Sequence, residues 1–320
     1  MNDNDVAVSI ICNTYNHEKY IRQALEGFVN QKFKLKFEVL IHDDASTDNT
    51  KKIIEEFSMM YPNIIKPFFQ IENQYSKNSN VISNIQMKRA KGKYIAMCEG
   101  DDYWIDPYKI QKQYDAMESN LNVDLCAHSV KLEKEGKNIA TLIASKKNRI
   151  LTIEEMIING GGYVATCSLF YRRNIDINIP EFRNRYRYDY SLQLLGALKG
   201  GVLFLKDVMG VYRVATENSW TTRIYYNYKK RINHNKKMID MLNSFNLFTN
   251  KKYDIYVNYM IKTYIFDSAI QCKKKVFSSA ISLFSLKYCK VYFCYGLKKT
   301  IIKIVKIILL CVTALIYKHD

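Results

Sequence analysis

Two periodicities alternate along the first hundred residues. The unbroken apolar, β-branched run at 6–12 reads as a strand buried on both faces. The stretch 20–31 then sets Ile21, Ala24, Leu25 and Phe28 at helical spacing, the pattern of a helix with one face against a core. Further strands are predicted at 37–41, 64–70 and 94–98. A helix capped by Thr47 or Asp48 runs to about residue 60, and another covers 81–90 and is stopped by Gly92. Short links between alternating strands and helices predict an α/β domain with a doubly wound, mostly parallel sheet and helices on both faces. A helix over 106–119 takes Asp106 as its N-cap and Pro107 at its first position. Beyond residue 120 the rhythm changes. An antiparallel hairpin is expected from 123–131 and 139–143, a helix at 152–159, a strand at 164–171 and a helix at 191–199. Two short strands follow at 202–205 and 209–214, and then helices at 221–243, 253–274 and 276–288.

Composition changes this picture in one respect. The apolar and charged fractions, 48% and 25%, are those of a folded chain, and 320 residues suffice for one large or two smaller domains. The formal charge of +17 is concentrated at one end: from Arg223 onward there are 19 Lys or Arg against 4 Asp. The chain therefore divides at about 222 into a near-neutral part, with halves at 1–120 and 121–222 where the rhythm of elements changes, and a basic helical region at 223–320. The eight cysteines form no Cys-x-x-Cys pair and no zinc-spaced set with histidine, so they read as reduced core thiols. The acidic N-terminus leads straight into a strand and does not read as a signal peptide, so the chain is expected to stay in the cytoplasm.

The candidate chemistry gathers at the C-terminal ends of the predicted parallel strands, where ligands bind in open α/β sheets. Glu99, Asp101 and Asp102 crowd one turn after the 94–98 strand. Carboxylates this close repel one another unless a cation or donor groups offset them, and a divalent ion uses one or two such carboxylates together with phosphate oxygens. Asp43 and Asp44 follow the second strand, and the polar run Asn13, Thr14, Tyr15, Asn16 and His17 follows the first. No Gly-x-Gly-x-x-Gly and no Walker loop is present, so neither a dinucleotide site nor a P-loop enzyme is predicted. No Gly-rich, basic loop follows the first strand, which argues against a nucleotidyltransferase, and no RNA- or DNA-reading motif is visible.

Four segments resemble the inverting glycosyltransferases of family 2, with the GT-A fold, and among them the bacterial enzymes of surface-polysaccharide synthesis. They are Val8 through Ile21, with Asn13-Thr14-Tyr15-Asn16-His17 at its centre; Asp43-Asp44-Ala45-Ser46-Thr47-Asp48; Glu99-Gly100-Asp101-Asp102-Tyr103-Trp104; and the stretch from Tyr188-Asp189 through Tyr212-Arg213 to Asn218-Ser219-Trp220. The resemblance implies a metal-dependent transferase that moves a sugar from a nucleotide-diphosphate sugar, of UDP type, to a glycan or lipid-linked glycan. It implies that Thr14, Tyr15 and Asn16 surround the nucleoside and that Asp43 or Asp44 accepts from the uracil imide. By the same token Asp101 and Asp102 hold Mn²⁺ or Mg²⁺ and support the ribose, Asp189 is the catalytic base, Arg213 clamps the diphosphate and Trp220 stacks on a sugar. Glu99 stands where Asp is commoner in the family, and Tyr188 where an acid is usual. An inactive GT-A-like scaffold or a basic membrane-surface binding protein is the alternative.

The tail carries a second signal. Lys299, Lys303 and Lys306 share one side of a helix predicted at 298–317, with Ile and Leu on the others. Its longest uncharged run is too short to span a bilayer. The pattern is that of a helix lying in an anionic membrane interface, so the protein is expected to be peripheral on the inner face of the cell membrane.

Overall fold

The computed structural model describes residues 5–78, 80–177, 179–216, 219, 222, 224, 227–272, 283 and 291. Trp220, the 276–288 helix and the 298–317 helix, all singled out in the sequence, lie outside the described residues apart from Leu283. Two compact units are present: residues 1–153 with 161–216, and residues 154–160 with 217–320.

The first unit is built on one ten-stranded sheet. In chain order it comprises β1 (Val6–Thr14), α1 (Ile21–Val29), β2 (Lys36–Asp43), α2 (Thr50–Met60), β3 (Ile65–Phe69), α3 (Tyr75–Asn78), α4 (Asn80–Arg89), β4 (Tyr94–Met97), β5 (Tyr103–Trp104), α5 (Lys109–Glu118), β6 (Leu125–Lys134), β7 (Lys137–Leu142) and β8 (Arg149–Leu151). After α6 (Ile153–Asn159), which from Glu154 on belongs to the second unit, come β9 (Phe170–Arg172), α7 (Glu181–Arg185), α8 (Asp189–Ala197) and β10 (Val202–Arg213). The strand order is β3-β2-β1-β4-β9-β6-β10-β5, with β7 on β6 and β8 on β10. Strands β3, β2, β1 and β4 are parallel. Chain order reverses between β1 and β4, which makes that boundary a topological switch point.

The apolar runs account for this packing. Val8, Ile10 and Cys12 of β1, Val39 and Ile41 of β2 and Tyr94 and Ala96 of β4 are buried in one core with Ile21, Ala24, Leu25 and Phe28 of α1 and Ile54 and Phe57 of α2. Each such large apolar side chain contributes about 1.5–3 kcal/mol on burial. The predicted hairpin is present as β6 and β7, antiparallel, and its turn uses Glu135 (φ 50°) and Gly136 (φ 75°). Two left-handed residues in a two-residue loop match the right-handed twist of the strands they join.

Three expectations are corrected. The two short strands at 202–205 and 209–214 are one strand, β10, which stays on β6 through register shifts near Leu205 and Val208. Polar Lys206 and Asp207 mimic a turn in sequence, but the bulges absorb them. The 164–171 strand is mostly a turn with a short strand, β9, after it. The helix at 106–119 begins later, at Lys109: Asp106 accepts from the Tyr108 backbone N–H at 2.8 Å and so closes a turn ahead of the helix.

The second unit holds α9 (Tyr228–Phe248) and α10 (Asp254–Cys272). Asn227 caps α9 by accepting from the Lys230 N–H, and Arg231 pairs with Asp267 of α10. Among the described residues no helix is long and apolar enough to cross a membrane.

Candidate active site

The loops after β1, β2 and β4 meet at one edge of the sheet, on the two sides of the switch point. Thr14 ends β1 with 3% exposure, and its carbonyl accepts from the Asp44 N–H at 3.0 Å. The Thr14 hydroxyl is buried and has no hydrogen-bond partner among the described residues. Tyr15 is 39% exposed. Asn16 adopts a left-handed φ of 54°, which Asn tolerates. Its N–H donates to Ser46 Oγ at 2.9 Å and its Oδ1 accepts from the Thr47 N–H at 2.8 Å. Asn16 thus ties the first loop to the second, a joining role that the sequence alone did not reveal.

The second loop is held by its own carboxylates. Asp43 accepts from the Ser46 hydroxyl and, at 3.1 Å, from the Ser46 N–H. These bonds hold Ala45 at φ 63°, a conformation costly to a residue with a Cβ. Burial raises the Asp43 pKa, and the Ser46 bonds oppose that rise. Asp44 is 2% exposed; its oxygens accept from the backbone N–H groups of Gln74 at 2.7 Å and Tyr75 at 2.9 Å. Of the two candidates for a base contact, Asp44 is therefore committed to fixing the segment that opens α3.

The acidic turn divides its carboxylates between two tasks. Asp102 is 0% exposed; Oδ1 accepts from the Arg213 backbone N–H at 2.8 Å, and Oδ2 is buried beside the Cys167 thiol. Asp101 is half-buried, and its Oδ2 accepts from Thr216 Oγ1 at 3.1 Å. Glu99 reaches solvent yet is surrounded by protein, and this partial loss of hydration, with the charges of Asp101 and Asp189, raises its pKa. Asp102, predicted as a metal ligand together with Asp101, turns its carboxylate into the protein.

Arg213 also departs from its expected part. Nε donates to Glu133 at 2.9 Å, one terminal nitrogen donates to the Asp101 carbonyl at 2.7 Å and the other to Gln23. The guanidinium stacks on Tyr103 at 4.4 Å and on Tyr20 at 5.1 Å, and the residue is 9% exposed. A fork spent in this way offers no free bidentate face to a phosphate. Arg213 fastens the acidic turn from behind, and Glu133, Gln23 and Thr216 join it there. Those three side chains come from separate parts of the chain, and no motif marked them.

Gly100 explains how closely the first loop meets the turn. A Cβ there would lie 2.7 Å from Thr14 Oγ1, 2.8 Å from Thr14 Cβ and 3.0 Å from His17 Nδ1. Burial holds the His17 pKa below its ordinary value, against the pull of Asp101, Asp48 and Asp43. Gly100→Ala is expected to push Thr14 away from the turn and to destabilise the fold by about 1–3 kcal/mol. Thermal melting measures this, and an unchanged Tm would show that the contact is dispensable.

Asp189 is the first residue of α8 and is solvent-accessible. Oδ2 accepts from Thr166 Oγ1 at 2.8 Å, and Oδ1 from the Tyr190 N–H at 2.7 Å. Burial among protein atoms raises its pKa, and these bonds and Arg183 oppose the rise. Arg187, two residues before Asp189, pairs with Asp176 at 2.9 Å. The charge of Asp189 acts on Glu99, so the fold brings α8 and the acidic turn to a common site across ninety residues of chain. Thr166, which orients the carboxylate, was read as part of a strand and went unnoticed.

Among the described residues no three His, Cys, Asp or Glu surround a point where a metal ion could sit. The acids present nonetheless fit a divalent cation. Asp101 and Glu99 both reach solvent, and a bound cation would offset the repulsion that Asp101 and Asp189 exert on Glu99.

These features can be compared with known proteins. The profile of Glycosyl transferase family 2 matches residues 9–177. Rv1520 of Mycobacterium tuberculosis, an uncharacterized protein, is 33% identical over 217 residues, 67% of this chain and 60% of that protein; the chain thus spans about 60% of the length of the mycobacterial relatives it matches. Escherichia coli WfaP, named as a UDP-Glc:alpha-D-GlcNAc-diphosphoundecaprenol beta-1,3-glucosyltransferase, is 39% identical over 112 residues, 35% of this chain and 41% of WfaP. S. aureus TarS in complex with UDP-GlcNAc superimposes with a TM-score of 0.60 at 18% identity, over 88% of this chain and 77% of the TarS 1–349 chain. The mannosyltransferase PcManGT from Pyrobaculum calidifontis, in complex with GDP-Man and Mn²⁺, gives 0.51 at 13% identity, over 95% and 88% of the two chains. These two likenesses speak for the fold. With the profile matched over more than half of the chain, and the matched loops gathered at the switch point of the sheet, the protein belongs to glycosyltransferase family 2 and has the GT-A fold.

Proposed function

We propose that the chain transfers a sugar, with inversion, from a UDP-sugar to a glycan or lipid-linked glycan in cell-surface polysaccharide synthesis. The observation that carries this reading is the convergence of Asp189 with the Glu99–Asp101 pair, close enough for the charges of Asp189 and Asp101 to act on Glu99. An inverting transferase needs that arrangement: a base near the sugar carbon and a place for the departing diphosphate on the opposite face.

In this mechanism Asp189, oriented by Thr166, takes the proton of an acceptor hydroxyl as that oxygen attacks C1. The C1–O bond to the diphosphate breaks as the new glycosidic bond forms, through an oxocarbenium-like state. Asp101, with Glu99 beside it, is the residue to hold Mn²⁺ or Mg²⁺, which when bound neutralises the leaving diphosphate. Thr14 and Tyr15 line the nucleoside pocket, and Asn16, Asp43 and Asp44 hold the two loops that form it. Asp102 and Arg213 fix the acidic turn. The name of WfaP, with its diphosphoundecaprenol acceptor, supports a lipid-linked acceptor for this chain, and such an acceptor gives the basic tail a membrane to lie on. Trp220 and the 298–317 helix complete the proposal as a sugar-stacking residue and a surface anchor.

The test is nucleotide release from UDP-glucose, UDP-N-acetylglucosamine and GDP-mannose with Mn²⁺, with Mg²⁺ or after chelation. One UDP-sugar is expected to turn over, and only with the cation. Absence of binding to any nucleotide sugar would overturn the transferase reading. Deleting 297–320 is expected to move the protein from the membrane to the soluble fraction; an unchanged distribution would remove the anchor.

A further inference from the structure

Lys109 opens α5 and is 0% exposed, with its ammonium 3.7 Å from the centroid of the Trp104 ring. Among the described residues no hydrogen-bond partner meets Nζ. Around it stand three buried thiols, Cys98 after β4, Cys126 on β6 and Cys167 in the turn before β9. One helical turn on, buried Gln113 donates to the Ser168 carbonyl at 2.9 Å, while its Oε1 has no partner among the described residues. His128 of β6 is 1% exposed; Nδ1 contacts the Ser129 carbonyl at 2.8 Å and Nε2 meets no partner among the described residues. His128 Cε1 and Trp104 Cδ1 both lie 3.4 Å from the Cβ position of Gly210. A solvent-excluded amine facing an aromatic ring and thiols is a costly arrangement. A methionine of similar length would fill the same space at no such cost, so folding alone does not call for this cation.

What the amine touches does have a use. The Trp104 indole donates to the Cys167 carbonyl at 2.8 Å. Cys167 follows Thr166, whose hydroxyl holds Asp189. Trp104 itself follows the acidic turn by two residues, pairs with Gly210 of β10 and packs edge-on to Phe28 at 4.9 Å. Trp104 is therefore the physical link between the donor-side acids and the proposed base. We propose that Lys109 is a positioning residue for sugar transfer: its ammonium fixes the Trp104 ring by a desolvated cation–π contact, and with it the spacing between the acidic turn and Asp189. This rests on the reading of Asp189 as the base.

Desolvated cation–π contacts are the stronger kind, and this one depends on the amine's charge. Burial lowers the Lys109 pKa to about 7, partly offset by Cys98, Cys167 and Cys126. The other titratable groups facing the cluster are His128, held neutral by burial to about 3, and Asp102, which acts on Cys98 and Cys167. Lys112, on the same helix, acts on His128 and turns its own amine to Asp106 and Asp207. The contact is present below about pH 7 and is lost as pH rises through it.

The chain has two tryptophans, so Trp220→Phe leaves Trp104 as the sole indole emitter. In that background the emission is expected to change as pH passes about 7, and Lys109→Met is expected to abolish the change. In the otherwise native chain, Lys109→Met should leave Tm equal or higher, because an unpaired buried charge is removed. UDP release from the preferred UDP-sugar should fall roughly tenfold in kcat with little change in KM, and Lys109→Arg should recover part of the loss. A flat emission titration, or wild-type kcat in Lys109→Met, would overturn the proposal. If the wild type turned over no nucleotide sugar, the proposed function would fail, while the emission titration would still decide whether Lys109 grips Trp104; it reads the native lysine and holds even if Lys109→Met does not fold.

Discussion

Asp189→Ala is expected to lower sugar transfer by roughly 10²–10⁴-fold, the usual contribution of a general base, with UDP affinity unchanged. The separation follows from the contacts. Asp189 touches Thr166 and the first turn of its own helix, and none of the loops that form the proposed nucleoside pocket. Its removal takes away a proton acceptor and one of the charges that raise the Glu99 pKa. The pH profile carries a second signature. A base must be ionised to act, so activity is lost as pH falls through its pKa. Because burial raises that pKa, the acid limb should lie above the range of an ordinary aspartate. Transfer rates with a defined acceptor, alongside calorimetric UDP titration, test both points. A variant that transfers at the wild-type rate would remove Asp189 from the mechanism, and a variant that no longer binds UDP would make it a donor-site residue.

Asp101→Asn and Asp102→Ala, adjacent and chemically alike, are expected to fail in opposite ways. Asp101 is accessible and makes one side-chain contact, to Thr216. Losing its charge relieves repulsion inside the acidic cluster, so Tm should hold while cation-dependent donor binding and turnover disappear. Asp102 is fully buried, and its Oδ1 receives the Arg213 N–H. Truncation leaves that donor unpaired at a cost of about 1–3 kcal/mol, so Tm should drop, and activity should fall with the loosened turn. Thermal melts together with UDP and Mn²⁺ titrations distinguish the two. If Asp102→Ala kept its Tm but lost the cation, the ligand assignment would pass back to Asp102.

The contrast between these neighbours shows what a motif can convey. Four strings of residues in order led to the family, and the profile match over 9–177 bears that out. The same strings did not separate the roles within them. Asp43 and Asp44 read alike, yet one serves Ser46 and the other caps Gln74 and Tyr75. Arg213 reads as a phosphate clamp, yet its donors go to Glu133, Gln23 and the Asp101 carbonyl. Hydrogen-bond partners that lie far apart in the chain leave no local pattern, whereas a strand-end loop does.

By its sequence alone this protein is determined as an α/β sheet protein with acids at the strand ends and a basic tail. Apolar runs of period two and 3.6 specify which backbone pairs and which face is buried. Short polar loops after strands specify where a ligand can reach the chain. Only the tertiary structure decided which acid faces solvent, that Asp189 and Glu99 share one site, and that Lys109 lies buried against Trp104. Each of these depends on distance and hydration across long stretches of chain. Charge takes its chemical meaning from those two quantities, and neither exists until the sheet has closed.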